Sequence, residues 1–142
     1  MKNYRDIATL LLRIGLAAGF LSAVASRLGL WGQHSSGWEG FLDYTAQVNS
    51  FAPKSLVPGI AVASTLLESA LGFSLLLGFK TKYAALGAAL LTLLFAIAMT
   101  WSFGLKEPLD YSVFAFSGGA FLLATTPGYR WSIDQIIYKT TM

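Results

Sequence analysis

The chain has no cysteine, which excludes disulfides, thiol redox chemistry and thiolate metal sites. It has a single histidine, His34, in a polar stretch. Bis-histidine haem ligation within one chain is therefore impossible, and a histidine-rich metal site is excluded. Charge is scarce: 12% of the 142 residues are charged, against about 25% in an ordinary soluble domain. Catalytic signatures are missing as well. There is no P-loop, no Rossmann glycine pattern and no HExxH. A lone loop histidine without a strand-turn-helix context argues against a hydrolytic triad. No catalytic residue and no metal ligand is assigned, and no internal repeat is evident.

What is present is apolar. Hydrophobic residues make up 55% of the sequence and the mean hydropathy is +0.59, a strong shift toward the membrane class. Residues 1–142 are long enough for one integral membrane domain. A net charge of +3 and a pI near 9.3 raise the question of nucleic acid. The ten basic residues are dispersed among flanks and loops and form no stripe, so nucleic acid is not an expected partner.

Four apolar spans can be read, at about 7–30, 56–79, 84–103 and 111–126. The fourth is short, ends at Pro127-Gly128 and can borrow Leu109 and Asp110 at its start. The expected fold is all-α, a transmembrane up-down four-helix bundle with short interfacial helices. Lys2 and Arg5, an apolar run and Ala23-Val24-Ala25 before Ser26 imitate a signal peptide. Arg13 interrupts that run, so the segment is expected to stay as a helix. Lys2, Arg5, Lys80, Lys82, Arg130 and Lys139 fall on one side, which the positive-inside rule makes cytoplasmic, together with both termini. The turn at Lys80 makes the second and third spans a hairpin.

Two segments between or after the spans carry helical patterns. Trp38, Phe41, Leu42, Thr45 and Val48 recur at helical spacing, which predicts an amphipathic helix at the outer interface. It is either an anchor or a lid over a cavity between the spans. Ser132 and Gln135 have capping-box spacing ahead of Ile133, Ile136 and Ile137, which predicts an interfacial helix in the tail.

The candidate site is charged and intramembrane. Glu68 falls about 18 Å along the second span at helical rise, near mid-bilayer. A carboxylate there needs a partner, a polar cavity or a proton. Ala61, Ser64, Thr65, Glu68 and Gly72 share one face of that span. Arg13 and Arg27 lie within about 40° of one face of the first, with Ala17, Phe20 and Val24 between them. With the spans aligned end to end, Arg13 sits about 9 Å deep, Glu68 about 16 Å and Arg27 about 30 Å. Arg13 is therefore the expected partner of Glu68, and Arg27 an outer-interface snorkeller. The pair can act as a structural clasp, as a binding site for the head of a quinone or lipid, or as a proton relay. Gly118-Gly119 reads as close helix packing.

Three stretches resemble the DoxX-like family of small four-span bacterial membrane proteins. They are Leu12-Arg13-Ile14-Gly15 through Ser26-Arg27-Leu28-Gly29-Leu30-Trp31-Gly32, Glu68-Ser69-Ala70-Leu71-Gly72 through the basic turn Lys80-Thr81-Lys82-Tyr83-Ala84-Ala85, and Pro127-Gly128 through Ser132-Ile133-Asp134. The family usually has a lysine where Arg27 stands. The resemblance implies a four-helix bundle in the bacterial cytoplasmic membrane, but no single activity. One reading is a non-enzymatic subunit or scaffold linked to a redox system, with redox-complex subunits, the bilayer or further copies of the chain as partners. The alternative is a quinone- or lipid-binding component of a membrane oxidoreductase. Related proteins that use cysteines offer no guide to a chain without them.

Overall fold

The structure is a computed structural model that describes residues 2–140, with side chains described for residues 4–137. Seven α-helices follow in order: α1 Lys2–Arg27, α2 Gly37–Val48, α3 Val57–Leu77, α4 Thr81–Phe103, α5 Lys106–Asp110, α6 Val113–Ala124 and α7 Ile133–Thr140. α1, α3 and α4 are each long and apolar enough to cross a membrane, and α6 is a shorter apolar helix. The fold is an all-α bundle. α1 packs on α3, α3 on α4, α4 on α6 and α6 back on α1, which closes a four-helix ring with up-down connectivity. One end of the ring carries α2 and α5. The other, the tail end, carries the start of α1, the α3–α4 turn and α7. The side chains of Lys2 and Lys139, two of the cations that orient the chain, lie outside the described ones.

Glycine sets two helix ends by the same device. α1 stops where Gly29 adopts φ +77°. There the Leu30 amide donates to the Ala25 carbonyl at 2.9 Å and the Gly29 amide to Ser26 at 3.3 Å. α3 stops at Gly78, with Phe79 donating to Ser74 at 2.9 Å and Gly78 to Leu75 at 3.2 Å. Both are Schellman closures, which need a left-handed residue that only glycine adopts freely. The first helix therefore ends at Arg27, short of the residue-30 limit expected for its span.

The fourth span, expected at about 111–126, holds a single helix, α6 at Val113–Ala124. Ser112 adopts φ +56° and separates it from α5. The Tyr111 amide still donates to Glu107 at 3.2 Å and Ser112 to Leu109 at 3.0 Å. The break thus leaves few backbone donors unmet. Leu109 and Asp110 belong to α5 and do not extend the crossing.

The core lies between α1, α4 and α6. α4 contributes Ala84, Ala85, Ala88 and Ala89, all buried, against Leu16, Ala17 and Phe20 of α1 and Ala120 and Leu123 of α6. Such small side chains let backbones approach, and the Ser117 hydroxyl of α6 donates to the Ala89 carbonyl of α4 at 2.8 Å. Phe20 and Phe116 meet edge to face with ring centroids 5.2 Å apart. Bulk sits on the α1–α6 side while alanine lines α4.

Candidate functional site

Two arginines of α1 are buried, Arg13 near the middle of the helix at 2% exposure and Arg27 at its end at 8%. They share the face that also buries Ala17, Phe20 and Val24. α3 buries Ala61, Ser64, Glu68 and Gly72, with Thr65 half-buried beside them. The register between the helices is set by contact at glycine. A Cβ on Gly72 would lie 2.9 Å from the Leu21 side chain, and one on Gly78 would lie 2.8 Å from Arg13 Nη1. Glu68, one turn from Gly72, is therefore level with Val24, about one turn from Arg27 and about three turns, roughly 16 Å, from Arg13.

The expected Arg13–Glu68 pair does not form. Glu68 pairs with Arg27, whose Nη2 lies 2.9 Å from both carboxylate oxygens. Its Nη1 donates to the Thr65 hydroxyl at 3.1 Å. Thr65 in turn donates to the Ala61 carbonyl at 2.8 Å. The ring of Phe41, from α2, lies over the guanidinium with 3.8 Å from its carbon to the centroid. Arg27 is thus no snorkeller: its head turns inward, toward a carboxylate, a hydroxyl and an aromatic face. The error came from aligning the two spans flush. α1 is displaced along α3 by about six residues, or roughly 9 Å at helical rise, relative to that alignment. Ser64 is not part of the pair. Its hydroxyl donates to the Ala61 carbonyl of its own helix at 3.1 Å, and its side chain lines a groove between α3 and α4. α2 covers the pair and its Val48 packs on Ala98 and Met99.

Arg13 serves the tail end. Its Nη2 donates to the Trp131 carbonyl at 2.6 Å and its Nη1 to the Arg130 carbonyl at 3.4 Å. Asp134 completes this region by capping α4, which has no capping side chain of its own. Its two oxygens accept the amides of Lys80 and Thr81, each at 2.7 Å, and its own amide donates to the Gly78 carbonyl at 3.0 Å. These are the orphan donors that any helix start must satisfy. The predicted capping box is present: the Gln135 amide donates to Ser132 Oγ at 3.1 Å, and Gln135 Oε1 accepts the Trp131 amide at 2.9 Å. Burial holds the Tyr129 phenol above its ordinary pKa range, and its hydroxyl donates to the Leu123 carbonyl at 3.1 Å. Arg13 Nε and Thr81 Oγ1 are buried without a partner among the described residues.

Sequence reasoning missed Asp134. The available signal was an unfilled requirement: α4 begins after Gly78-Phe79-Lys80 with no Ser, Thr, Asp or Asn at its cap. A helix start that cannot cap itself must borrow an acceptor, and Asp134 is the acid that reaches it.

The DoxX family model matches residues 8–101. The chain belongs to the DoxX family. The matched region contains both arginines, Thr65, Glu68 and Gly78, and it ends before the tail segment that carries Asp134. The Escherichia coli (strain K12) protein called inner membrane protein YqjF is 31% identical over 142 residues, covering 98% of each chain. No solved structure matches significantly. Together with the long apolar helices, the family assignment makes this chain an integral membrane protein of the bacterial inner membrane.

Proposed function

We propose that this DoxX-family chain is a non-enzymatic membrane subunit or scaffold, serving a redox system of the kind the family resemblance implies. One observation carries the reading. Both terminal nitrogens of the Arg27 guanidinium are engaged within the protein, by Glu68 and Thr65, and its face is covered by Phe41. A pair so enclosed acts as a clasp between α1 and α3 and fixes which helices meet. A group poised for chemistry would keep a free donor or an open side.

The test is a paired substitution. Arg27→Met combined with Glu68→Leu removes both charges and keeps apolar bulk. The double variant is expected to fold, to co-purify with the same membrane proteins as the natural chain and to support the same growth. A double variant that folds normally but loses its partners or its phenotype makes the pair a site and overturns the clasp.

We also infer that both termini face the cytoplasm. Arg5, Lys80, Lys82 and Arg130 gather at the tail end, while Glu39, Asp43, Glu107 and Asp110 gather at the other. Single cysteines placed at His34 and Lys80 are expected to react with an impermeant thiol reagent on spheroplasts at position 34 and not at 80. A second reading, a quinone- or lipid-binding component of a membrane oxidoreductase, draws support from the apolar groove between α3 and α4 and not from the charge pair.

A further inference from the structure

α3 and α4 meet closely near their turn, where a Cβ on Gly87 would lie 2.9 Å from the Leu71 side chain. Toward the other end α2 packs against both helices. Val48 sits on Ala98 and Met99, and the Ser102 hydroxyl donates to the Val48 carbonyl at 2.6 Å. Between the close end and this wedge lies a cavity of about 620 Å³. Ala63 and Leu67 of α3 and Leu94 and Ile97 of α4 form its walls.

Three properties of the groove identify an occupant. It opens sideways on two membrane-spanning helices: Leu67 is 51% exposed, Leu94 54% and Ile97 55%. It is therefore continuous with the surface that meets lipid chains. It is almost wholly apolar, since the polar groups along it are Asn49, Ser64 and the Trp101 indole N–H, and Ser64 spends its proton on Ala61. Its mouth is marked by Trp101 and Phe51, whose rings meet edge-on with centroids 6.4 Å apart, as aromatics do at headgroup level. From Trp101 down to Leu91, α4 descends about 15 Å at helical rise. That is half of the roughly 30 Å hydrocarbon core, the depth of one leaflet.

We propose that this groove binds one acyl chain of a phospholipid from the leaflet on the α2 side, with the ester and headgroup region beside Asn49 and Trp101. The site lies outside the charge pair and stands whether or not the scaffold reading holds. Filling it from the wall removes room for methylene groups. Excluding two of them weakens binding about tenfold, at the usual transfer free energy per methylene.

Native mass spectrometry of the full chain tests this, after delipidation in detergent and titration with dioleoyl phosphatidylglycerol. The natural chain is expected to retain one lipid per copy. Ala63→Trp and Ile97→Trp, which fill the groove from α3 and from α4, are each expected to lower retention about tenfold. Ala70→Trp, exposed on α3 outside the groove, is expected to leave it unchanged. A second measurement needs no variant: dioctanoyl phosphatidylglycerol, whose chains are too short to fill the groove, is expected to bind far more weakly than the dioleoyl lipid to the natural chain. Equal retention in folded groove variants, or equal binding of short and long chains, overturns the proposal. So does retention of a polyprenyl quinone in preference to the phospholipid, which assigns the groove to an isoprenoid tail.

Discussion

The two buried arginines of α1 sit on one face of one helix, yet the bundle satisfies them in different ways. At the α2 end, Arg27 meets side chains: a carboxylate, a hydroxyl and an aromatic ring. At the tail end, Arg13 meets backbone carbonyls of a loop more than a hundred residues away in the chain. Asp134, the acid nearest in role, is committed to amides at the start of α4. The first arrangement joins two spans directly. The second ties the tail to the bundle by way of two helix ends. A guanidinium has five N–H donors in a fixed plane, so it serves either purpose, but only the first has hydrogen-bonding side chains that can be removed by mutation.

That difference can be broken by substitution. The largest effect is expected for Arg27→Ala, which leaves Glu68 buried and unpaired. The loss is about 3–5 kcal/mol, and most of it is recovered when Glu68→Leu is added. Equilibrium unfolding in mixed detergent micelles measures both, and the coupling follows from the cycle. Arg13→Ala is expected to cost about 1.5–3 kcal/mol for each hydrogen bond lost to the charged group, and no second-site side-chain change should rescue it. Its signature is local: trypsin cleavage after Arg130 becomes faster. If a double variant rescues Arg13→Ala as well, the two ends are not different in kind.

Smaller effects sharpen the contrast. Asp134→Ala removes the cap from two amides and is expected to cost about 1–2 kcal/mol. Hydrogen exchange at Lys80 and Thr81 should accelerate, while exchange near Glu68 stays slow. The exposed pair between Arg130 and Asp6, at 3.2 Å, should matter least. Arg130→Gln is expected to change stability by less than about 1 kcal/mol, with any effect lost at high salt.

The same contrast explains what could be read from the sequence. Four apolar segments, the shared face of Arg13 through Arg27 and the small face around Glu68 all follow from periodicity, because burial repeats every turn. The stagger of α1 along α3 does not. It is set by which side chains enter the surfaces at Gly72 and Gly78, and sequence spacing within one helix says nothing about sliding past another. The partner of Glu68 turns on that stagger, so depth along flush spans points to Arg13 where the bundle supplies Arg27. Arg13 was harder still, since a carbonyl acceptor has no residue-type signature. The break at Ser112 was equally hidden: serine is not a usual left-handed residue, and the apolar pattern runs on through it.

The shortness of α6 has a consequence for the bilayer. With 12 residues it spans about 18 Å, well under the roughly 30 Å hydrocarbon core that the other three helices can cross. The charged α5 cannot extend it into hydrocarbon. One flank of the bundle is therefore mismatched with its surroundings and the opposite flank is not. Lipids along α6 must dimple inward, at fractions of a kcal/mol per ångström. That tilted boundary layer is expected to make stability fall as host lipids lengthen, and unfolding in a series of bilayers of graded thickness would register the slope.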